Sequence, residues 1–168
     1  ITPVTIHIPL KRVTQELEKS VLRKNLNLLH YTLVNHFRIP APSIAVLSLN
    51  PHCGDGGLLG YEEKTKLEPV IKDMSKKGLK IYGPFPADGF FGSGAYKKYD
   101  AIAGTYHDQA LIPFKLLSNG DGVNLTAGLP IIRTSPTHGT AFDIAGKNIA
   151  NTESTISAIK LAAKLSVK

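Results

Sequence analysis

Cysteine is almost missing from this chain: Cys53 stands alone, which rules out an internal disulfide and makes a reducing, cytoplasmic setting the simpler expectation. No apolar run approaches the roughly eighteen residues of a membrane helix, and no basic-then-apolar leader is read at Ile1, so no membrane partner is expected. Neither G-x-G-x-x-G nor the Walker A lysine motif occurs, so both standard nucleotide fingerprints are lacking. Clustered charge is lacking too. The formal net charge is +7, yet Lys11, Lys19, Lys24, Lys64, Lys72, Lys76, Lys160 and Lys164 are dispersed. No basic stripe carries interleaved aromatics, which argues against nucleic acid as a partner.

What is present is the composition of a globular protein: 42% hydrophobic and 20% charged residues over 168 positions. That length allows one domain, or a domain and a fraction. Val4 to Ile8 reads as a short strand ending near His7. From Leu10 to Phe37 apolar residues recur at helical spacing, as one long helix or a short one followed by a longer one, closed by Pro40 and Pro42. Ser43 to Leu49 is a continuous apolar run, as in a parallel strand buried on both faces. It opens into Asn50-Pro-His-Cys-Gly-Asp-Gly-Gly57. A helix over Glu62–Lys77, strands over Leu79–Tyr82 and Ala101–Thr105, and a polar-tipped loop at Gly83–Gly89 follow. A helix over His107–Leu117, strands over Val123–Thr126 and Ile131–Thr134, and a helix over Thr152–Val167 complete the pattern. Alternating strands and helices imply an α/β fold with a largely parallel sheet.

His7, His52 and His107 each follow a strand. Converging at the strand ends of one sheet, they would make a divalent-metal site with open positions; scattered, they are unrelated histidines. Lys115, Asn124 and Arg133 suit a phosphate or carboxylate, Arg by a bidentate fork, or else face solvent. Asp88 and Asp108 either orient imidazoles or cap loops. Gly54, Gly56 and Gly57 permit close backbone approach to a ligand, a weak signal by itself. His30 and His36 fall within the long helix and read as surface residues.

Asn50-Pro-His-Cys-Gly-Asp-Gly-Gly, Gly83-Pro-Phe-Pro-Ala-Asp, Tyr106-His-Asp-Gln, Gly122-Val-Asn-Leu-Thr and Ile132-Arg-Thr-Ser-Pro-Thr-His-Gly-Thr-Ala together resemble the 4-hydroxythreonine-4-phosphate dehydrogenase family. The resemblance spans the chain and implies its C-terminal half, with a three-layer α/β/α fold of the isocitrate and isopropylmalate dehydrogenase type. It implies a metal-binding and dimerisation domain over 1–115 and part of a cofactor-binding domain over 116–168. It places a divalent metal (zinc, alternatively magnesium or cobalt) on His7, His52 and His107, with ligands drawn from both subunits of a homodimer. Substrate contacts fall on Lys115, Asn124 and Arg133. The stretch from His138 to Asn151 resembles the adenosine-binding loop of isocitrate and isopropylmalate dehydrogenases, which implies NAD or NADP. Asp108 and Lys115 are the candidates for the catalytic base. The implied reaction oxidises 4-phosphooxy-L-threonine, and decarboxylation then gives 3-amino-2-oxopropyl phosphate. Phosphorylated erythronate or threonate, or aromatic dihydrodiols, are alternative substrates. A metallohydrolase and an inactive phosphate- or metal-binding fragment are alternative functions. Cys53-Gly-Asp55 stands where the family commonly has Ala-Gly-Glu, a conservative departure.

Overall fold

The computed structural model describes residues 1–167. The chain divides into two compact units, Ile1–Pro113 and Phe114–Lys168. The first is organised by β2 (Ser43–Leu47), whose side chains alternate between two faces. Ile44 and Val46 enter a core with Leu22, Leu26, Val70 and Met74. Ala45 and Leu47 enter a second core with Phe90 and Ile102. A strand buried on both faces needs helices on both, and the unbroken apolar run is the sequence trace of that requirement.

Four parallel strands form this sheet in the order β1 (Thr2–Pro3), β4 (Ala101–Gly104), β2, β3 (Lys80–Phe85). One face is covered by α2 (Lys19–Asn35) and α3 (Glu68–Lys76), through Leu22, Leu26 and Leu33 on the first and Val70, Ile71 and Met74 on the second. The opposite face carries α4 (Ala87–Gly92) and an aromatic cluster in which Phe85 stacks on Phe90 at 5.2 Å, with Tyr99 against both. Parallel strands all end on one side, so the loops after β1, β2 and β4 share an edge.

Several expected elements are shifted. The helical stretch after Pro9 is a single turn at Leu10–Arg12, then α1 (Val13–Glu16), then α2: the short-then-long alternative. It breaks at Leu17, which adopts φ −77, ψ 65. The first strand is Thr2–Pro3 rather than Val4–Ile8. Val4 and Thr5 still donate to the carbonyls of Gly104 and Thr105, but His7 at φ 51 turns the chain away. The Gly83–Gly89 loop is the end of β3 followed by α4. The helix over Glu62–Lys77 opens with a wider, π-type turn at Glu63–Leu67.

The second unit begins inside α5 (His107–Ser118), which carries Pro113. It contains a two-stranded antiparallel ribbon of β5 (Val123–Leu125) and β6 (Thr134–Pro136), then α6 (Glu153–Ser166). The last strand was expected at Ile131–Thr134. Leu125 pairs with Thr134, Gly128 sits at φ 83 in the turn, and Pro130 has no N–H to give a ladder, so pairing starts only at Thr134. No helix among the described residues is long and apolar enough to cross a membrane.

Asp100 clips the start of β4 to the start of β2. Its carboxylate accepts from the Ser43 N–H at 2.8 Å and the Ser43 hydroxyl at 2.7 Å. The backbone N–H of Ser43, then its hydroxyl, hold the Asp100 carboxyl below its ordinary value. A carboxyl depressed in the folded state contributes stability above the unfolded value near pH 4, and that contribution is lost as pH falls through the folded value. Asp100→Ala is therefore expected to lower unfolding free energy by about 1 kcal/mol at neutral pH. The difference from wild type should shrink in urea melts as pH is taken below about 4; a constant difference down to pH 2 would show that the ionised clip is not its source.

Candidate functional site

The edge after β1 and β4 is built by backbone pairing that continues past the strands. Thr5 donates to Thr105 O from its backbone N–H at 3.2 Å and from its hydroxyl at 2.8 Å. Two residues on, His7 leaves one strand and His107 opens α5, with their ring centroids 5.6 Å apart. Two imidazoles binding one zinc at about 2.0–2.1 Å have centroids roughly 5–6 Å apart, so this pair suits a shared ion. Asp108 Oδ1 lies 2.7 Å from His107 Nδ1. A carboxylate accepts, which puts the ring proton on Nδ1 and leaves Nε2 free as a ligand atom. The pair borders a cleft of about 310 Å³ also lined by Thr5, Ile8, Tyr106 and Asp108.

His52 lies elsewhere on the edge, in a turn of unusual hand. Residues 52 to 56 run at φ 51, 55, 78, 42 and 67, and His52, Cys53 and Asp55 lack glycine's freedom there. Left-handed backbone costs roughly 1–2 kcal/mol per non-glycine residue, so the surroundings must impose it. Gly54 is required twice over: at φ 78, a Cβ there would also sit 2.5 Å from the Gly60 carbonyl oxygen. The turn leaves His52 exposed. Among the described residues no three His, Cys, Asp or Glu side chains gather as a metal-binding group, so one chain brings together two of the three expected imidazoles. Cys53 is half-buried, and burial pushes its thiol above the ordinary value, which makes it a poor nucleophile.

The remaining expected residues lie in the second unit. Asn124 lies within β5 and Arg133 just before β6, and both are exposed. Asn124 Nδ2 donates to Ser135 Oγ at 3.3 Å, and Arg133 donates from one guanidinium nitrogen to Thr126 Oγ1 at 2.7 Å. Lys115 is exposed on α5. His138 Nδ1 lies 2.9 Å from Gly139 O. Asn151 lies one residue before Thr152, the N-cap of α6, and accepts from the Glu153 N–H at 2.8 Å.

The family model for pyridoxal phosphate biosynthetic protein PdxA matches residues 1–162. The chain belongs to the PdxA family. It is 54% identical to a 4-hydroxythreonine-4-phosphate dehydrogenase of Bacteroides thetaiotaomicron, a match covering 95% of this chain and 44% of that protein. A crystal structure of the Klebsiella pneumoniae 4-hydroxythreonine-4-phosphate dehydrogenase superposes with a TM-score of 0.85 at 41% identity, over 98% of this chain and 50% of that one. A terephthalate 1,2-cis-dihydrodiol dehydrogenase from Burkholderia xenovorans superposes at 0.74 with 27% identity, over 95% and 50%. The chain thus spans about half the length of the PdxA relatives it matches.

Two site-building residues had no expected role. Glu63 is 1% exposed and lies on the apolar stripe that continues through Leu67, Val70 and Met74. That position was the available signal, since a carboxylate on a buried helical face needs partners. It finds them in the His52 turn: Oε1 accepts from the N–H groups of Leu49 (2.8 Å) and Asn50 (2.7 Å), and Oε2 from Asn50 Nδ2 (2.9 Å). Asn50 Nδ2 also donates to Glu62 at 2.8 Å, which holds the Glu62 carboxyl below its ordinary value. Gln109, next to the His-Asp pair, is the other. Replacing Glu63 by Ala leaves buried backbone donors unpaired and should lower stability by about 2–4 kcal/mol. The check is the denaturant midpoint, with Glu68→Ala on the exposed side as a control; equal small losses would refute the anchoring role.

Proposed function

We propose that this chain takes part in an NAD(P)- and divalent-metal-dependent oxidation of 4-phosphooxy-L-threonine to 2-amino-3-oxo-4-(phosphooxy)butanoate. That product then loses carbon dioxide to give 3-amino-2-oxopropyl phosphate. The observation that carries the reading is the His7–His107 pair, set at ion-sharing distance with Asp108 on the His107 ring, in a PdxA-family chain. The names of the relatives support the substrate.

His7, His107 and His52 would hold the divalent cation, zinc or alternatively cobalt, with magnesium disfavoured by imidazole donors. The set is completed across two copies of the chain in a homodimer. When bound, the cation supplies Lewis acidity that lowers the pKa of a substrate hydroxyl. Asp108 fixes the His107 tautomer and, with Lys115, is a candidate to take the hydroxyl proton. Asn124, Arg133 and Lys115 hold the phosphorylated end as hydrogen-bond donors, and His138 and Asn151 contact the nucleotide. Hydride transfer is the cofactor's chemistry; these residues supply orientation. A dihydrodiol substrate is the second reading, favoured by the Burkholderia xenovorans structure, at lower identity than the phosphothreonine relatives.

His52→Ala should lose bound cation, as measured by metal analysis of the 168-residue chain, while His30→Ala on α2 keeps it. Unchanged occupancy in the His52 variant would remove the metal assignment. Arg133→Lys preserves charge but loses the planar fork, and should weaken phosphorylated-substrate binding roughly ten- to a hundredfold. Calorimetric titration reads this directly, and equal affinities would make Arg133 a ribbon residue only. Assaying 4-phosphooxy-L-threonine, phosphorylated erythronate and threonate, and an aromatic dihydrodiol side by side decides the substrate.

A further inference from the structure

Beneath the histidine loops runs a continuous line of hydrogen bonds. The β2–β4 ladder pairs residues only as far as Val46 with Ala103. Past that point Ser48 and Thr105, 2% and 0% exposed, are joined by the Gln109 side chain, beside a longer 3.5 Å contact from the Thr105 hydroxyl to Ser48 O. Gln109 Oε1 accepts from the Thr105 N–H (2.7 Å) and the Thr105 hydroxyl (2.9 Å), while Gln109 Nε2 donates to Ser48 O (2.6 Å). The opposite amide orientation would set NH2 against the Thr105 N–H and oxygen against the Ser48 carbonyl, so the carboxamide has one way to sit. The line continues on both sides. Thr105 O receives Thr5, while Ser48 Oγ donates to Asn50 O at 3.0 Å, and the Asn50 N–H is held by Glu63. Each of Thr5, Asn50 and Thr105 precedes by two positions a histidine of the expected set: His7, His52 and His107.

We propose that Gln109 is a positioning residue whose carboxamide replaces the missing ladder rung and sets the spacing between the loops bearing His52 and His107. Its functional meaning rests on the metal reading above. The ladder upstream holds the sheet without it, so its loss frees the strand ends rather than the core.

The test uses Gln109→Leu, which removes all three bonds, and Gln109→Glu, which keeps an acceptor for Thr105 but loses the donor to Ser48 O. In the metal-free chain, NMR of the histidine rings reports the loops directly, and the His52 ring is diagnostic because it is far from position 109 in sequence. Both variants should shift the His52 ring signals, and cobalt(II) titration followed by visible absorption should show affinity about tenfold weaker. Unchanged His52 ring signals in both variants overturn the proposal, as does an effect confined to melting temperature with cobalt affinity retained. A wild-type chain that takes up no cobalt overturns the metal reading alone, and the ring signals still decide the role of Gln109. If Gln109→Leu does not fold, the isosteric Gln109→Glu decides by the same criteria.

Discussion

Burial of β2 on both faces governs the rest of the first unit. A strand that sends Ile44 and Val46 one way and Ala45 and Leu47 the other offers no side chain to solvent after Ser43. Polar chemistry is thereby driven to the strand ends, where backbone groups run out of ladder partners. Ser48, Thr105 and Thr5 are all buried there, and all are hydrogen-bonded. The same geometry that excludes water from the sheet creates a need for side-chain partners at its carboxyl edge. The histidine loops begin where that need is met.

The edge holds its residues by two different means. His7 and His107 are brought together by adjacency of β1 and β4, with Asp108 orienting one ring. His52 is presented by a left-handed turn that Gly54 and Gly56 favour and His52, Cys53 and Asp55 resist, and a buried carboxylate from the following helix holds the residues leading into it. Glu63 has no cation partner among the described residues, and its three acceptor contacts are all amide N–H groups of residues 49 and 50. The carboxyl group serves the chain leading into the turn.

Much of this was legible in the amino-acid order. The alternation of apolar strands and periodic helices is enough for a parallel α/β sheet, and the break near Leu17 was among the alternatives the spacing allowed. His107 could be read as a strand-end residue because the small-residue run Ala101–Gly104 marks where its strand stops, whereas the strand before His7 ends at Pro3, well short of the stop that Pro9 suggested. Gln109 and Glu63 were not legible as partners. Their bonds to Ser48 and Asn50 cross 61 and 13 positions, and no periodicity records such a pairing. The strand at Thr134–Pro136 was misplaced because Ile131 and Ile132 imitate a strand interior, whereas register is decided by the turn at Gly128 and by Pro130. Handedness of the 52–56 turn was hidden for a similar reason, since His52, Cys53 and Asp55 do not announce positive φ.

The ribbon of the second unit has a dynamic consequence. Three residue pairs join β5 to β6, and the apolar support comes from α6, which leaves Ile156 and Ile159 largely exposed. A two-stranded ribbon of this size is marginal in isolation, whereas the central sheet is locked between two cores. Amide hydrogens of Asn124 and Ser135 should therefore exchange through local opening, while those of Val46 and Ala103 wait for global unfolding. The proposed anion-holding side chains, Asn124 and Arg133, thus belong to the least protected part of the fold. Anion binding there would be coupled to quenching of that opening, so occupancy would be registered as slower exchange across the whole ribbon.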